Sequence, residues 1–187
     1  MSPLAAKVMK RFCAIPPYPR ENDFLGPYNK LLHTVFPADS DYTVIPQSYS
    51  FLDSYGSANT IIGFEVVFED NPVFSLQIKE PKSLAVLSAR EKADDQMRKR
   101  LRDLAPNCPL DTLLHHLPKD TTAFGTCLSF YSYDKQSRVI PKRMLPDRER
   151  EIDFGPPSRW DCDILEDEGG ERFQDIVAEI KAKCDQL

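Results

Sequence analysis

The chain has 187 residues, 41% of them apolar, with a formal net charge of −5. That is long enough for one domain with a real core, and too acidic overall for a generic polyanion binder. Sixteen prolines against seven glycines favour stiff, extended connections over flexible linkers. The charge is uneven. Lys79 to Arg102 holds eight basic residues against four acidic ones, while Asp147 to Leu187 holds thirteen acidic against six basic. A basic patch and an acidic C-terminal region are therefore expected.

The first element is a short amphipathic helix within residues 2–12, carried by Leu4, Val8 and Phe12 at spacings of four. Ile15-Pro16-Pro17-Tyr18-Pro19 must be extended, because each residue before a proline is pushed out of the α region. Tyr28 to Phe36 sets Tyr28, Leu31, Leu32 and Val35 on one helical face. Pro27 suits its first turn, and Pro37 ends it. Tyr42 to Leu52 reads as a strand that Pro46 confines to an edge or splits. Ile61 to Phe68 and Val73 to Ile78 are two β-branched and aromatic runs around Glu69-Asp70-Asn71-Pro72, the pattern of a hairpin.

Ser88-Ala89-Arg90-Glu91 has the form of a capping box. It opens a helix whose buried stripe is Ala93, Met97, Leu101 and Leu104. Thr112 to Leu117 is a helical turn or a loop. Ala123 to Tyr133 reads as one aromatic-rich strand, and Arg138 to Ile140 returns beyond a turn at Asp134 to Ser137. Residues 141–168 are irregular and acidic. Gly169-Gly170 separates them from a last helix with Phe173, Ile176, Val177, Ile180 and Cys184 on one stripe. Trp160 and Phe173 are expected to bury against the sheet. The whole is one domain, residues 1–187, with an arm over residues 1–20. Its class is α/β or α+β, a central mixed sheet flanked by helices.

The five cysteines are odd in number and widely spaced, so reduced thiols and an intracellular setting, cytoplasmic or nuclear, are expected. No apolar run reaches membrane-spanning length, so no membrane partner is expected. The N-terminus lacks the apolar core of a signal peptide. His115-His116 are adjacent and lack ligands at metal spacing. Neither a phosphate loop nor a nucleophile elbow is present. The acidic segment Asp161 to Glu168 lacks the pattern of a calcium loop.

What remains is the hairpin. Strand periodicity puts Gly63 and Glu65 on one face of its first strand, and Gln77 and Lys79 on one face of its second. Metal-dependent phosphodiesterases need carboxylates for a cation and a lysine against developing charge, and adjacent strands can supply both. The hairpin followed by a basic helix with a Gln resembles the core of the PD-(D/E)xK nuclease-like superfamily. Gly26 to Leu32, Pro72 to Lys79, Asp94 to Arg98, Phe124-Gly125-Thr126 and Arg159 to Glu166 are similar, more narrowly, to a group of basidiomycete fungal proteins. The similarity runs from about Tyr18 to the C-terminus.

The resemblance implies a restriction-endonuclease-like core with Mg as cofactor. Its catalytic positions fall on Glu65, Gln77 and Lys79: Glu65 would bind metal, Gln77 would position the metal or its water, and Lys79 would stabilise charge at the phosphate. Glu21, Gln96 and Arg100 would support them, the last two sharing a helix face at spacing four. Lys82, Arg98, Lys99 and Arg102 would contact nucleic acid. The chain departs from the pattern where the group has an acid near Gly63 and Glu at Gln77. An amide offers a cation only a neutral oxygen.

The leading expectation is therefore a nuclease-like domain with a degenerate metal site, noncatalytic or weakly active, handling or contacting nucleic acid. The alternatives are an active Mg-dependent nuclease and a protein-interaction domain unrelated to nucleases, in which Glu65 and Lys79 form a structural ion pair. Oligomeric state is left open.

Overall fold

The computed structural model describes residues 4–52, 58–104, 119–133, 138–145, 149, 151–156 and 158–186. The expected segments at Thr112 to Leu117, with its His115-His116 pair, and at Asp134 to Ser137 lie outside them. The helices are α1 (Ala6–Cys13), α2 (Leu25–Val35), α3 (Leu87–Leu104) and α4 (Asp167–Cys184). The strands are β1 (Tyr42–Leu52), β2 (Ala58–Phe68), β3 (Asn71–Lys79), β4 (Lys119–Phe124), β5 (Cys127–Tyr133), β6 (Val139–Ile140) and β7 (Cys162–Asp163).

The seven strands form one mixed sheet in the order β1-β2-β3-β4-β5-β6, with β7 also on β5. β1, β2 and β3 are antiparallel neighbours; α3 then crosses over, and β4 returns parallel to β3. This is the expected α/β class. Glu69 and Asp70, both at positive φ, make the turn of the β2–β3 hairpin. That geometry matches the twist of the flanking strands. Pro46 lies on the edge strand β1, the part of a sheet that tolerates a residue without an N–H.

Alternation decides which side of the sheet is dry. Phe64, Val66, Phe74, Leu76, Ile78, Ala123 and Leu128 join one cluster with Val8 and Phe12 of α1, Tyr28, Leu31 and Leu32 of α2, and Phe173, Val177 and Ile180 of α4. Burying each of the α4 residues contributes about 1.5–3 kcal/mol. α3 covers the opposite side through Ala93 against Phe124 and Trp160, and through Met97 and Leu101 against Tyr131. Trp160 and Phe173 are both buried, as expected, but on opposite sides of the sheet.

Three expectations are corrected. Residues 123–133 are not one strand: Gly125, at φ +64°, turns the chain between β4 and β5. A Cβ there would stand 2.9 Å from Pro81. The Tyr28 hydroxyl donates to the Gly125 carbonyl at 2.6 Å and fixes the turn to α2. The glycines do not precede the last helix but lie inside its first turn. Gly169 is required because a Cβ would come 1.9 Å from the Asp163 carbonyl oxygen. Asp167 and Glu168 then sit at the helix N-terminus, where the dipole favours them.

Finally, α3 is not opened by its own capping box. Ser88 lies within the helix, and its backbone N–H donates to the carboxylate of Asp153 at 2.9 Å. The Ser88 hydroxyl donates to the same carboxylate. The cap is thus borrowed from the irregular segment 65 residues downstream.

Candidate functional site

The sheet face beneath α3 is polar, and its residues follow from register. Gly63 pairs with Gln77, Gln77 with Thr122, and Thr122 with Ser129. One step along, Glu65 pairs with Ser75, Ser75 with Asp120, and Asp120 with Tyr131. Two polar rungs therefore cross four strands. Glu65, Gln77 and Lys79 share this face, as expected.

They do not meet in one open site. Glu65 is held by Arg100 of α3 in a half-buried ion pair. Arg100 also donates through Nε to the Ser75 hydroxyl at 3.1 Å, and that hydroxyl donates to Asp120 Oδ1 at 2.6 Å. Burial pushes the Asp120 carboxyl up to about 6, against the pull of the Ser75 bond and the Arg100 charge. Gln77 is sealed between sheet and helix at 2% exposure, with neither amide atom partnered. The Glu65–Lys79 ion pair of the alternative reading is replaced by Glu65–Arg100.

Gly63 is constrained by the backbone itself, since a Cβ there would come 1.9 Å from the Leu76 carbonyl oxygen. This strand pair thus has no room for the acid that the resembling group carries near this position. Among the described residues no three His, Cys, Asp or Glu side chains cluster closely enough to hold a metal ion. The residues present do not fit a divalent cation: the one expected carboxylate ligand faces a guanidinium, and its neighbour is an amide.

Lys79 lies one rung further, at the C-terminal end of β3, opposite Phe124 and beside the first half of α3. It lines a pocket of about 240 Å³ with Glu21, Thr60, Glu80, Ser83, Lys92, Gln96 and Phe124. Burial lowers the Lys79 ammonium pKa; the Glu21 charge raises it, and Lys92 lowers it further. Burial likewise raises Glu21, opposed by the Lys79 charge and a hydrogen bond from the Glu80 backbone. Glu21 belongs to a one-turn 3₁₀ helix, Glu21–Phe24, leading directly into α2.

The expected basic contact surface on α3 is smaller than its sequence. Arg98 is buried: its Nε pairs with Asp94 at 2.9 Å, and its other nitrogens donate to the carbonyls of Val139 and Pro141. Asp94 also takes Arg159 at 2.6 Å and the Met144 N–H at 2.9 Å. Arg102 bonds the Arg98 carbonyl, and Lys82 pairs with Glu80 at 2.8 Å while staying well exposed. Lys99 is exposed. Arg98, expected at nucleic acid, and Arg100, expected in support of the site, are both held by internal partners. Their i, i+4 and cross-sheet partners consume the charge.

Sequence reading missed Ser75, Asp120, Thr122 and Tyr131. The alternation Ser75-Leu76-Gln77-Ile78-Lys79 already showed a polar face; what was lacking was the start of β4 at Lys119, which aligns Asp120 with Ser75. No family model, curated protein or solved structure matches this chain.

Proposed function

We propose that this chain is a nuclease-like domain whose metal site has decayed, and that it contacts nucleic acid without cleaving it. The observation that carries this reading is the Arg100 guanidinium seated on Glu65, beside a Gln77 sealed under α3. Where a phosphodiesterase needs carboxylates open to a cation, this face offers an ion pair and a buried amide. The order of elements around the site, three antiparallel strands, a crossover helix and a fourth strand parallel to the third, is in keeping with the resemblance. Exposed Lys82 and Lys99, with Lys79 and Lys92 of the strand-end pocket, are the cations this reading assigns to phosphates.

The test is incubation with Mg or Mn and single- or double-stranded DNA and RNA, with affinity measured across salt concentrations. The expected result is no cleavage, with weak binding that falls steeply as salt rises. Three or four phosphate contacts give a log–log slope of about −3. Metal-dependent cleavage abolished by Lys79→Ala would replace this reading with an active nuclease. Absence of binding at low salt would remove the nucleic-acid contact.

A further inference from the structure

The strand-end pocket has a property that a phosphate contact leaves unexplained. Glu21 and Lys79 both line it, both are half-buried, and they do not touch. Among the described residues nothing hydrogen-bonds the Lys79 ammonium, and no carboxylate lies within 4.0 Å of it. A desolvated ammonium and a desolvated carboxylate sharing a cavity would ordinarily close into contact, because either one alone is costly to bury. Here they are held apart by different elements: Lys79 ends β3, and Glu21 starts the 3₁₀ turn before α2.

The rest of the lining sorts by chemistry. Lys92 joins Lys79 as a second cation, and Ser83 supplies a hydroxyl. Gln96 contributes a buried amide oxygen with no donor. Phe124, Ala89 and Ala93 form an apolar wall. The pocket therefore offers cations for an anion, a carboxylate and an amide oxygen for a cationic donor, and a small apolar surface. A volume of 240 Å³ equals about eight waters, too much for a single bridging water and too little for a drug-sized ligand.

We propose that this pocket binds a small zwitterion, an α-amino acid with a small apolar side chain. Its carboxylate lies against Lys79 and Lys92, its ammonium against Glu21 and Gln96 Oε1, and its side chain against Phe124 and the α3 alanines. The proposal goes beyond the nuclease-like reading and does not depend on it. A dianionic phosphate satisfies the lysines but leaves the Gln96 oxygen without a donor, and a simple amine leaves Lys79 without a counter-charge.

The test is calorimetric titration of the whole chain with L-alanine, L-valine, L-serine and L-leucine at millimolar concentration. Isobutylamine and isovalerate, which lack the carboxylate and the ammonium of valine respectively, are titrated alongside. Saturable binding of at least one amino acid is expected. Affinity should fall about tenfold or more for each single-charge analogue, and similarly in Glu21→Gln and Lys79→Met. Lys7→Ala, on the exposed face of α1, keeps full affinity, and circular dichroism shows that each variant folds. No binding by any of the four amino acids overturns the proposal. So does equal binding of the analogues, or affinity unchanged in both pocket variants. None of these outcomes alters the cleavage or nucleic-acid results, so the two readings fail separately.

Discussion

Replacing Asp94 by Asn tests how the irregular segment is attached. Asp94 is fully buried, and its two carboxylate oxygens accept from three donors. Oδ1 takes Arg159 at 2.6 Å; Oδ2 takes Arg98 at 2.9 Å and the Met144 backbone N–H at 2.9 Å. Asparagine has the same shape but one oxygen. Whichever way the amide turns, its NH₂ group faces a donor, and two guanidinium groups lose their counter-charge. Arg98 and Arg159 keep only 10% and 18% side-chain exposure, so water replaces little of what is lost. Removing one partner of such a buried pair costs about 3–5 kcal/mol. That is a large share of the roughly 5–15 kcal/mol that holds a domain folded. Urea denaturation followed by circular dichroism measures it. Early proteolytic nicking between residues 139 and 160 should accompany the loss. A change below about 1 kcal/mol would show that the three donors find other acceptors, and the hub reasoning would fail.

Asp120 gives stability a pH dependence of definite sign. Burial pushes its carboxyl up to about 6 from the ordinary aspartate value of 3.8, so the native state holds the proton more tightly than the unfolded one. Its contribution is full below about pH 4 and is lost as pH rises through about 6, roughly 3 kcal/mol in all. Asp120→Asn should flatten that part of the curve and leave the variant relatively more stable at pH 8, as read by denaturant titrations across pH. Gly169→Ala drives a methyl group into the Asp163 carbonyl and is expected to cost about 1–3 kcal/mol, measured as a lowered denaturation midpoint. Gly63→Asp, which puts an acid where the resembling group has one, should destabilise the hairpin through the Leu76 carbonyl and confer no Mg affinity by calorimetry.

The sequence made the apolar architecture legible because periodicity reports burial directly. The stripe of α4, the face of α2 and both strands of the hairpin stand where their spacing puts them. Pro46 marked an edge because proline in a ladder has few other homes. The failures share a different cause. Gly125 lies inside an aromatic run, and nothing local says whether a glycine there bends a strand or ends it. Ser88 and Glu91 match a local cap, but the helix takes Asp153 instead, and no window of sequence contains both.

The charges on α3 misled for the same reason. Arg98, Lys99, Arg100 and Arg102 look alike in a row, yet Arg98 and Arg100 turn inward to Asp94 and Glu65, partners 4 and 35 residues away. The pairing of Glu65 became visible only once register placed Ser75 and Asp120 beside it.

The outer side of α3 is secured by guanidinium groups reaching for main-chain oxygens. Arg90 donates to Pro156 and Gly155, Arg98 to Val139 and Pro141, and Arg159 to Lys142. An arginine cannot shed its proton at any pH a protein tolerates, and a carbonyl has none to gain. The carbonyl bonds themselves therefore hold no group that titrates; the acid-sensitive part of the clasp is the Asp94 carboxylate that Arg98 and Arg159 share. A medium that leaves Asp94 ionised should leave this clasp shut.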